Sequence, residues 1–443
     1  MPEHSTPTTG TDAEEIVRRH EIFAWACFDF ANSGYTTVIL TTVYSAYFVA
    51  VIAAGLDSDS PGSATLLWTL AIAAANLIVL LSAPVIGAIA DHHGRKKPFL
   101  LVTTIVCVLA TAALSQAGPE QLVLAVALLI ISAVAYASGE NLIAAFLPEI
   151  SRPEDMGRIS GYGWSFGYFG GLLTLAFCLA YISWAQKGGA EAIDYVPVTL
   201  IITAVVFALA ATPTFRWLRE RAQGADTEEN WSYLRAGTDR VLTTLRHAAH
   251  LPDLFRFLGC LILFQAGVST VVVVAAIYAQ EVMGFDSSQL ITLIMLVNLT
   301  AAAGAFIFGY AQDHWGSVPS LVVALLVWIA AIGVALYAST DVHIWLAGNL
   351  IGLAMGATQA GGRALIGRMT PVARNAEVFG LWGLANRAAA IIGPVSYGVI
   401  TNLSKGDHQL ALISTLLFFI AGLCVLVTVD EKRGMAAAAS LLP

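Results

Sequence analysis

Long apolar runs alternate with short polar segments along almost the whole chain. A helix needs roughly 20 mostly apolar residues to cross the hydrocarbon core of a bilayer, whereas barrel strands are about half as long and alternate. Continuous apolar runs of helical length therefore predict an all-α membrane protein with twelve transmembrane helices. We expect the spans near 22–54, 65–90, 98–117, 121–147, 158–185, 195–217, 254–281, 288–312, 318–338, 343–368, 376–402 and 408–429.

Lys and Arg are distributed unevenly over the segments between these spans. If the N-terminus is placed inside, the inner segments hold 19 of them and the outer segments hold only Lys187 and Lys405. Cytoplasmic loops carry the excess of Lys and Arg in membrane proteins. We therefore predict a multi-pass protein of the bacterial plasma (inner) membrane with both termini in the cytoplasm.

The composition agrees with this topology and excludes several kinds of function. Hydrophobic residues make up 57% of the chain and charged residues 12%, about half the charged share of soluble domains. The sequence has no GxxxxGK[ST] phosphate loop, no metal-ligand spacing and no nucleophile paired with a base. We expect no enzymatic activity, no cofactor, no metal site and no nucleic-acid partner.

The chain repeats itself on either side of one charged segment. The pattern Gly87-x3-Asp91-x2-Gly94 recurs 222 residues later as Gly309-x3-Asp313-x2-Gly316. Two parallel halves of six spans predict a solute site between them near the membrane midplane. We expect a cytosolic tail 1–21, a half 22–217, a cytoplasmic linker 218–253, a half 254–429 and a cytosolic tail 430–443. The linker is either an amphipathic surface helix or a solvated loop.

The loop after the second span resembles the signature loop of the major facilitator superfamily, with candidate gate residues Gly87, Asp91, Gly94, Arg95 and Lys96. Gly87 permits close helix packing. Asp91 suits a helix N-terminus, where the macrodipole favours a carboxylate. Arg95 can neutralise an acid across the inner gate. The alternative is a positively charged inner loop with a glycine turn and no part in gating.

Further strings narrow the resemblance to the vacuole-effluxer-like branch of that superfamily, named for the autophagy-related amino-acid exporter of fungal vacuoles. They are Trp25-Ala26-Cys27-Phe28-Asp29-Phe30-Ala31-Asn32-Ser33-Gly34-Tyr35, Ala145-Phe146-Leu147-Pro148-Glu149, Gly163-Trp164-Ser165-Phe166-Gly167-Tyr168 and Glu377-Val378-Phe379-Gly380-Leu381-Trp382. The chain departs from the family's seventh-span pattern, where Phe264-Gln265-Ala266-Gly267 lacks the usual acid. The resemblance implies the major facilitator fold and transport of a small solute.

Four ionisable side chains fall well inside predicted spans: Asp29, Glu140, Arg363 and Arg387. Each costs roughly 2.5–3.5 kcal/mol on insertion scales, so it needs a partner or a function. They could form an ion-pair network that closes the inner gate, for instance Glu140 with Arg363. They could equally bind solute or protons, and Arg387 could serve only to hold its own span.

The resemblance implies that spans 1, 4, 7 and 10 line a central cavity. The candidate substrate-binding or coupling residues on those spans are Asp29, Asn32, Tyr35, Glu140, Asn141, Gln265, Ser269, Gln359 and Arg363. Trp164 and Trp382 are either aromatic walls of the cavity or interfacial anchors. Arg387 completes the set.

We therefore expect a monomeric secondary or facilitative transporter of a small organic solute, surrounded by membrane lipid. The resemblance makes export and amino acids the first expectation, and carboxylates and guanidinium groups together would suit a zwitterion. The same set would also suit an organic anion or a drug-like amphiphile. Glu140 is the first candidate for proton coupling and Asp29 the second. The alternative is a membrane scaffold or assembly factor that has a transporter fold and no transport cycle.

Overall fold

The computed structural model describes residues 19–93, 95–144, 146–150, 156–221, 251–370 and 375–439. Within these ranges the chain is helical, without a strand, and a long helix lies at each predicted span. The first six, α1 to α6, are Arg19–Ile52, Ser63–His93, Lys97–Leu114, Leu122–Ala144, Met156–Lys187 and Ala192–Trp217. The next seven, α7 to α13, are Pro252–Met283, Ser287–Trp315, Ser317–Leu336, Asp341–Arg368, Asn375–Leu403, His408–Leu426 and Glu431–Ala439.

Ten helices in the described part of the chain are long and apolar enough to cross a membrane. The helices α10 and α11 have 28 and 29 residues, which is also long enough, but they are more polar. Their polar residues include Gln359, Arg363 and Arg387, three of the predicted site residues. The lower hydropathy of these two helices therefore comes partly from the side chains that sequence reasoning assigned to the site.

Large apolar side chains cover the outer surface of the bundle. Leu81 on α2, Leu109 on α3 and Val123 on α4 are 68%, 63% and 84% exposed. A water-soluble monomer rarely exposes large contiguous apolar patches. Exposure of this kind is expected where lipid tails cover the helices, and it supports a multi-pass membrane protein.

Glycines bring helices into backbone contact at equivalent places in the two halves. A Cβ atom on Gly170 of α5 would lie 2.2 Å from the carbonyl oxygen of Phe30 on α1. A Cβ atom on Gly393 of α11 would lie 2.0 Å from the carbonyl oxygen of Ala266 on α7. No side chain fits at either position, so glycine is required for these close approaches.

The helix α1 departs from regular α-helical geometry in its second part. It is π-helical over Thr36–Thr42 and again over Phe48–Ile52. Isolated π-helical turns often occur at functional sites. The first of these segments begins directly after Tyr35, just beyond the predicted site residues Asp29 and Asn32.

The bundle has two ends, which we call the terminal end and the far end. The terminal end is where α1 begins and α12 ends, and the far end is the opposite one. At the far end the two halves are joined by hydrogen bonds, including Trp68 Nε1 to Val273 O at 3.1 Å and Asn402 Nδ2 to Ser63 Oγ at 2.9 Å. The halves are therefore in direct contact at the far end.

The predicted boundaries need two corrections at the chain ends. The first helix begins at Arg19, inside the predicted tail 1–21. The predicted tail 430–443 contains α13, which is tied to the second half by Glu431 and Arg433. The predicted amphipathic helix of the linker falls mostly on residues 222–250, which lie outside the described residues.

Candidate functional site

An ion pair joins the two halves of the molecule near the middle of the bundle. Nη2 of Arg387 on α11 donates to Oε2 of Glu140 on α4 at 2.5 Å. The same nitrogen lies 3.3 Å from Oδ1 of Asn141. The side chain of Glu140 stays 39% exposed and that of Arg387 17%. Since the two residues come from different halves, this ion pair is a direct contact between the halves.

This pairing differs from the predicted one, in which Glu140 would pair with Arg363. The guanidinium carbon of Arg363 instead lies 5.3 Å from the ring centroids of both Trp164 and Trp382. Cation–π contacts of this kind are worth about 0.5–2 kcal/mol each. The sequence predicts that Arg363 and Glu140 lie at a similar depth in the membrane. It does not predict the direction in which each side chain points from its helix.

The two tryptophans thus contact the same guanidinium group, and their role as walls of a cavity stays a prediction. Trp164 lies on α5 in the first half, and Trp382 lies on α11 in the second half. Between them, Arg363 of α10 is close enough to Asp29 and Glu140 to interact with both carboxylates through charge. Arg363 thus stands between a carboxylate cluster of the first half and the aromatic rings of both halves.

Asp29 lies where α1 packs against α5. Its Oδ2 atom would be 2.3 Å from a Cβ atom built on Gly163, so only glycine leaves room for the carboxylate there. Asp29 is half-buried. The four ionisable groups singled out in the sequence are thus two carboxylates and two guanidinium groups in one region, drawn from α1, α4, α10 and α11.

Tyr35 has a structural role in the first half. Its hydroxyl shares a 2.8 Å hydrogen bond with Ser132 on α4, and its ring stacks on Tyr136 with centroids 4.9 Å apart. Thr36 Oγ1 donates to the hydroxyl of Tyr136 at 2.8 Å. Sequence reasoning missed Tyr136, although it stands four residues before Glu140 and therefore on the same face of α4.

Asn32, a predicted site residue, has a buried amide. It is only 6% exposed, and both its Nδ2 and its Oδ1 lack a hydrogen-bond partner among the residues described. Gln265, Ser269 and Gln359 are half-buried on α7 and α10, and their part in the site stays a prediction.

The structure describes only part of the predicted gate motif. Gly87 and Asp91 belong to the last turns of α2, and the contact of Asp91 with a helix N-terminus stays a prediction. The side chains at 87–94 lie outside the described residues, and Gly94 lies outside them altogether. Arg95 is exposed, and Lys96 Nζ pairs with Glu149 Oε1 at 2.8 Å within the same half.

In each half, one carboxylate caps the N-terminus of the third helix. Glu220 lies in the predicted linker and Glu431 in the predicted tail. Glu220 accepts hydrogen bonds from the backbone N–H groups of Lys96 and Lys97 at the start of α3. Glu431 accepts from the N–H groups of Ser317, at 2.8 Å, and Val318 at the start of α9. A carboxylate at a helix N-terminus satisfies free N–H groups and interacts favourably with the helix dipole.

An arginine one or two residues after each capping carboxylate forms an ion pair with a buried acid of the same half. Arg221 binds the buried Glu21 at the start of α1 through two hydrogen bonds of 2.8 and 3.1 Å. Arg433 binds the buried Asp253 at the start of α7 through two hydrogen bonds of 2.5 and 2.6 Å. We call the cap and this ion pair together the terminal clasp of each half.

In the described residues no group of three or more His, Cys, Asp or Glu side chains could hold a metal ion. A family model described as vacuole effluxer Atg22 like matches residues 62–439.

The chain belongs to this family. It is 25% identical over 417 residues to the uncharacterized MFS-type transporter YxiO of Bacillus subtilis, covering 92% of this chain and 94% of that protein. It is 22% identical over 328 residues to autophagy-related protein 22 of Kluyveromyces lactis, covering 68% of this chain and 65% of that protein.

Solved structures show the same fold at low sequence identity. The xylose transporter XylE from E. coli, in an inward open conformation, matches with a TM-score of 0.68 and 15% identity over 94% of this chain and 99% of that one. A bacterial homologue of the human lysosomal transporter Spinster matches with a TM-score of 0.67 and 13% identity over 96% and 98%. The protein is thus a membrane transporter of the major facilitator type.

Proposed function

We propose that this protein exports a small zwitterionic solute, with amino acids as the first candidates, by alternating access between its two halves. The observation that carries the proposal is the ion pair between Glu140 and Arg387, which joins the halves inside the bundle. In transporters built from two repeats, the solute site lies between the repeats and one repeat moves against the other. A contact at this place has to break whenever the halves separate there.

The charges of the cluster suit a solute that carries both signs. The guanidinium carbon of Arg363 lies 5.3 Å from the centroids of two indole rings, and a guanidinium group can bind a carboxylate through two parallel hydrogen bonds. Asp29 then offers a carboxylate to the ammonium group of the same solute. One chain carries all these groups, which supports a monomer as the working unit.

Glu140 is the group that we assign to proton coupling. In this state it is paired with Arg387 and still 39% exposed, so water can reach it. When the halves separate at this level, Glu140 loses its contact with Arg387, and we place proton binding at this step. Asp29 is the second candidate, because it lies in the same cluster.

Export and a cytoplasmic position of both termini complete the proposal. The description of the family as effluxers supports the direction, and the excess of Lys and Arg in the inner segments supports the orientation. The orientation is tested with a single cysteine introduced at position 230 in a variant without the five native cysteines. An impermeant thiol reagent should label this position only after the cells are broken, and labelling in intact cells would contradict the orientation.

Counterflow in proteoliposomes tests the function itself. Vesicles loaded with one unlabelled amino acid at a time should take up the same labelled amino acid faster than empty vesicles for at least some zwitterions. The variant Arg363→Gln should abolish this uptake while the protein still purifies as a single folded species. If no amino acid shows counterflow and none raises the melting temperature, the scaffold function is favoured instead.

A further inference from the structure

The side-chain amide of Asn32 is buried and has no hydrogen-bond partner among the described residues. With 6% exposure and both polar atoms unpaired in the described part of the chain, it differs from the other buried asparagine, Asn298. Asn298 is 7% exposed, but its Nδ2 donates to the carbonyl of Ile294 at 2.8 Å. A buried polar group without a hydrogen bond destabilises the folded protein. Such a group commonly serves a ligand or water.

The packing of α1 against α4 gives the position of this amide. The two helices are antiparallel, with Trp25 Nε1 donating to Ile143 O at 2.9 Å and the hydroxyl of Tyr35 bonded to Ser132. Between these contacts, Asn32 lies at the level of Tyr136. Asp29, about 4.5 Å nearer the terminal end along α1, lies at the level of Glu140.

The charged cluster and the amide therefore lie at neighbouring levels of the bundle, about one helical turn apart. Asp29, Glu140 and Arg363 can take the ammonium and carboxylate groups of a zwitterion, as proposed above. Asn32 shares a helix face with Thr36, whose hydroxyl reaches Tyr136. A solute whose charged head lies in the cluster would direct its side chain one helical turn further, to Asn32 and Tyr136.

The chemistry of a carboxamide defines what fits there. Asn32 presents one N–H donor and one carbonyl acceptor side by side, and both are unpaired. A group with an adjacent acceptor and donor satisfies both at once, and a second carboxamide is the simplest such group. An apolar side chain would leave both atoms without a partner, and a carboxylate would leave the carbonyl without a donor.

We propose that Asn32 recognises the side-chain amide of the solute, so that glutamine and asparagine are preferred over apolar and acidic amino acids. This inference rests on the proposed function, because it assumes that the charged cluster holds a zwitterionic head. It goes further, since it names the side chain of the solute and the residue that selects it.

The test is a competition assay in proteoliposomes that takes up labelled glutamine by counterflow. Unlabelled glutamine, methionine and glutamate are compared as competitors for the wild-type protein, Asn32→Leu, Asn32→Asp and Asn298→Leu. Methionine and glutamate have nearly the length of glutamine but lack the amide. Melting temperature and gel filtration verify that each variant is folded, and Asn32→Asp keeps the shape of the side chain in case the leucine variant does not fold.

In the wild-type protein we expect glutamine to compete about tenfold better than methionine, the factor that corresponds to roughly 1.4 kcal/mol for one unmade pair of hydrogen bonds. Asn32→Leu should remove this preference, and Asn32→Asp should weaken it. Asn298→Leu should keep it, because the amide of Asn298 already has a partner in its own helix.

Three results would overturn the inference in distinguishable ways. Equal competition by glutamine and methionine in the wild-type protein would refute the amide preference but leave zwitterion transport intact. An unchanged preference in Asn32→Leu would mean that water alone serves the amide of Asn32. A lack of counterflow with every amino acid would refute the proposed function as well, and the inference with it.

Discussion

The terminal clasps and the central ion pair use the same chemistry in opposite ways. Each clasp lies within one half: Arg221 binds Glu21 in the first half, and Arg433 binds Asp253 in the second. The central pair of Glu140 and Arg387 connects one half to the other. The buried acids of the clasps are 1% and 2% exposed, whereas Glu140 is 39% exposed.

The clasps therefore stabilise each half, whereas the central pair forms and breaks as the halves move. A rigid-body motion of one half against the other leaves a contact within a half unchanged but breaks a contact between halves. The clasps can therefore be deeply buried and remain paired throughout a cycle. The central pair has to open at a modest cost in free energy, and its partial exposure to water keeps that cost low.

The largest effect is expected at the central pair. Arg387→Gln removes the guanidinium that is hydrogen-bonded to Glu140 and should stop every mode of flux, because the contact that joins the halves at this level can no longer form. The double variant Glu140→Gln with Arg387→Gln should recover part of the counterflow activity, since no unpaired charge remains. Counterflow rates of the three proteins in proteoliposomes measure this, and a double variant as inactive as Arg387→Gln would argue against the pair as the moving contact.

A clasp variant should affect folding and leave transport by the folded protein intact. Glu21→Gln leaves Arg221 without its buried partner, and breaking a buried ion pair costs roughly 3–5 kcal/mol. The melting temperature of the purified protein should fall clearly, while transport per folded molecule stays near the wild-type value. Glu120→Gln, an exposed acid, is the matched control and should not change either quantity.

A smaller effect depends on pH and concerns the second clasp. Burial by itself would raise the pKa of Glu431, but the hydrogen bonds from Val318, Arg368 and Ser317 lower it below its ordinary value of 4.5. A pKa that is lower in the folded state contributes stability at pH values above 4.5, and this contribution is lost as the pH falls through the folded pKa.

Melting curves of the wild-type protein and Glu431→Gln at several pH values measure this contribution. The wild-type protein should be the more stable of the two at neutral pH, and the difference should shrink as the pH falls below about 4.5. A difference that stays constant down to acid pH would show that the carboxylate of Glu431 is not the source of the stability.

The general architecture was accessible from the sequence, because apolar runs of span length and an internal repeat both follow from physical constraints on helices in a bilayer. The positions of Asp29, Glu140, Arg363 and Arg387 in one cluster were also accessible, since charges inside apolar runs are costly and stand out. The partner of Glu140 was not, because a linear sequence gives the depth of a side chain and not the helix that faces it.

The clasps were inaccessible for a different reason. Glu220 and Glu431 lie just outside the apolar runs, in segments that read as linker and tail, where charged residues carry no signal. Their function depends on the N-termini of α3 and α9, which are far away in the sequence. The same holds for the unpaired amide of Asn32, because a missing hydrogen bond can be seen only once the neighbours are in place.

The central claim is that Glu140 alternates between a paired and an unpaired state and carries a proton in the second. The most direct measurement compares net flux and exchange in proteoliposomes for the wild-type protein and Glu140→Gln. The variant should lose net flux driven by a pH gradient but keep exchange of solute between the two sides. If net flux in Glu140→Gln follows the pH gradient as it does in the wild-type protein, Glu140 is not the coupling group and the account of the central pair is wrong.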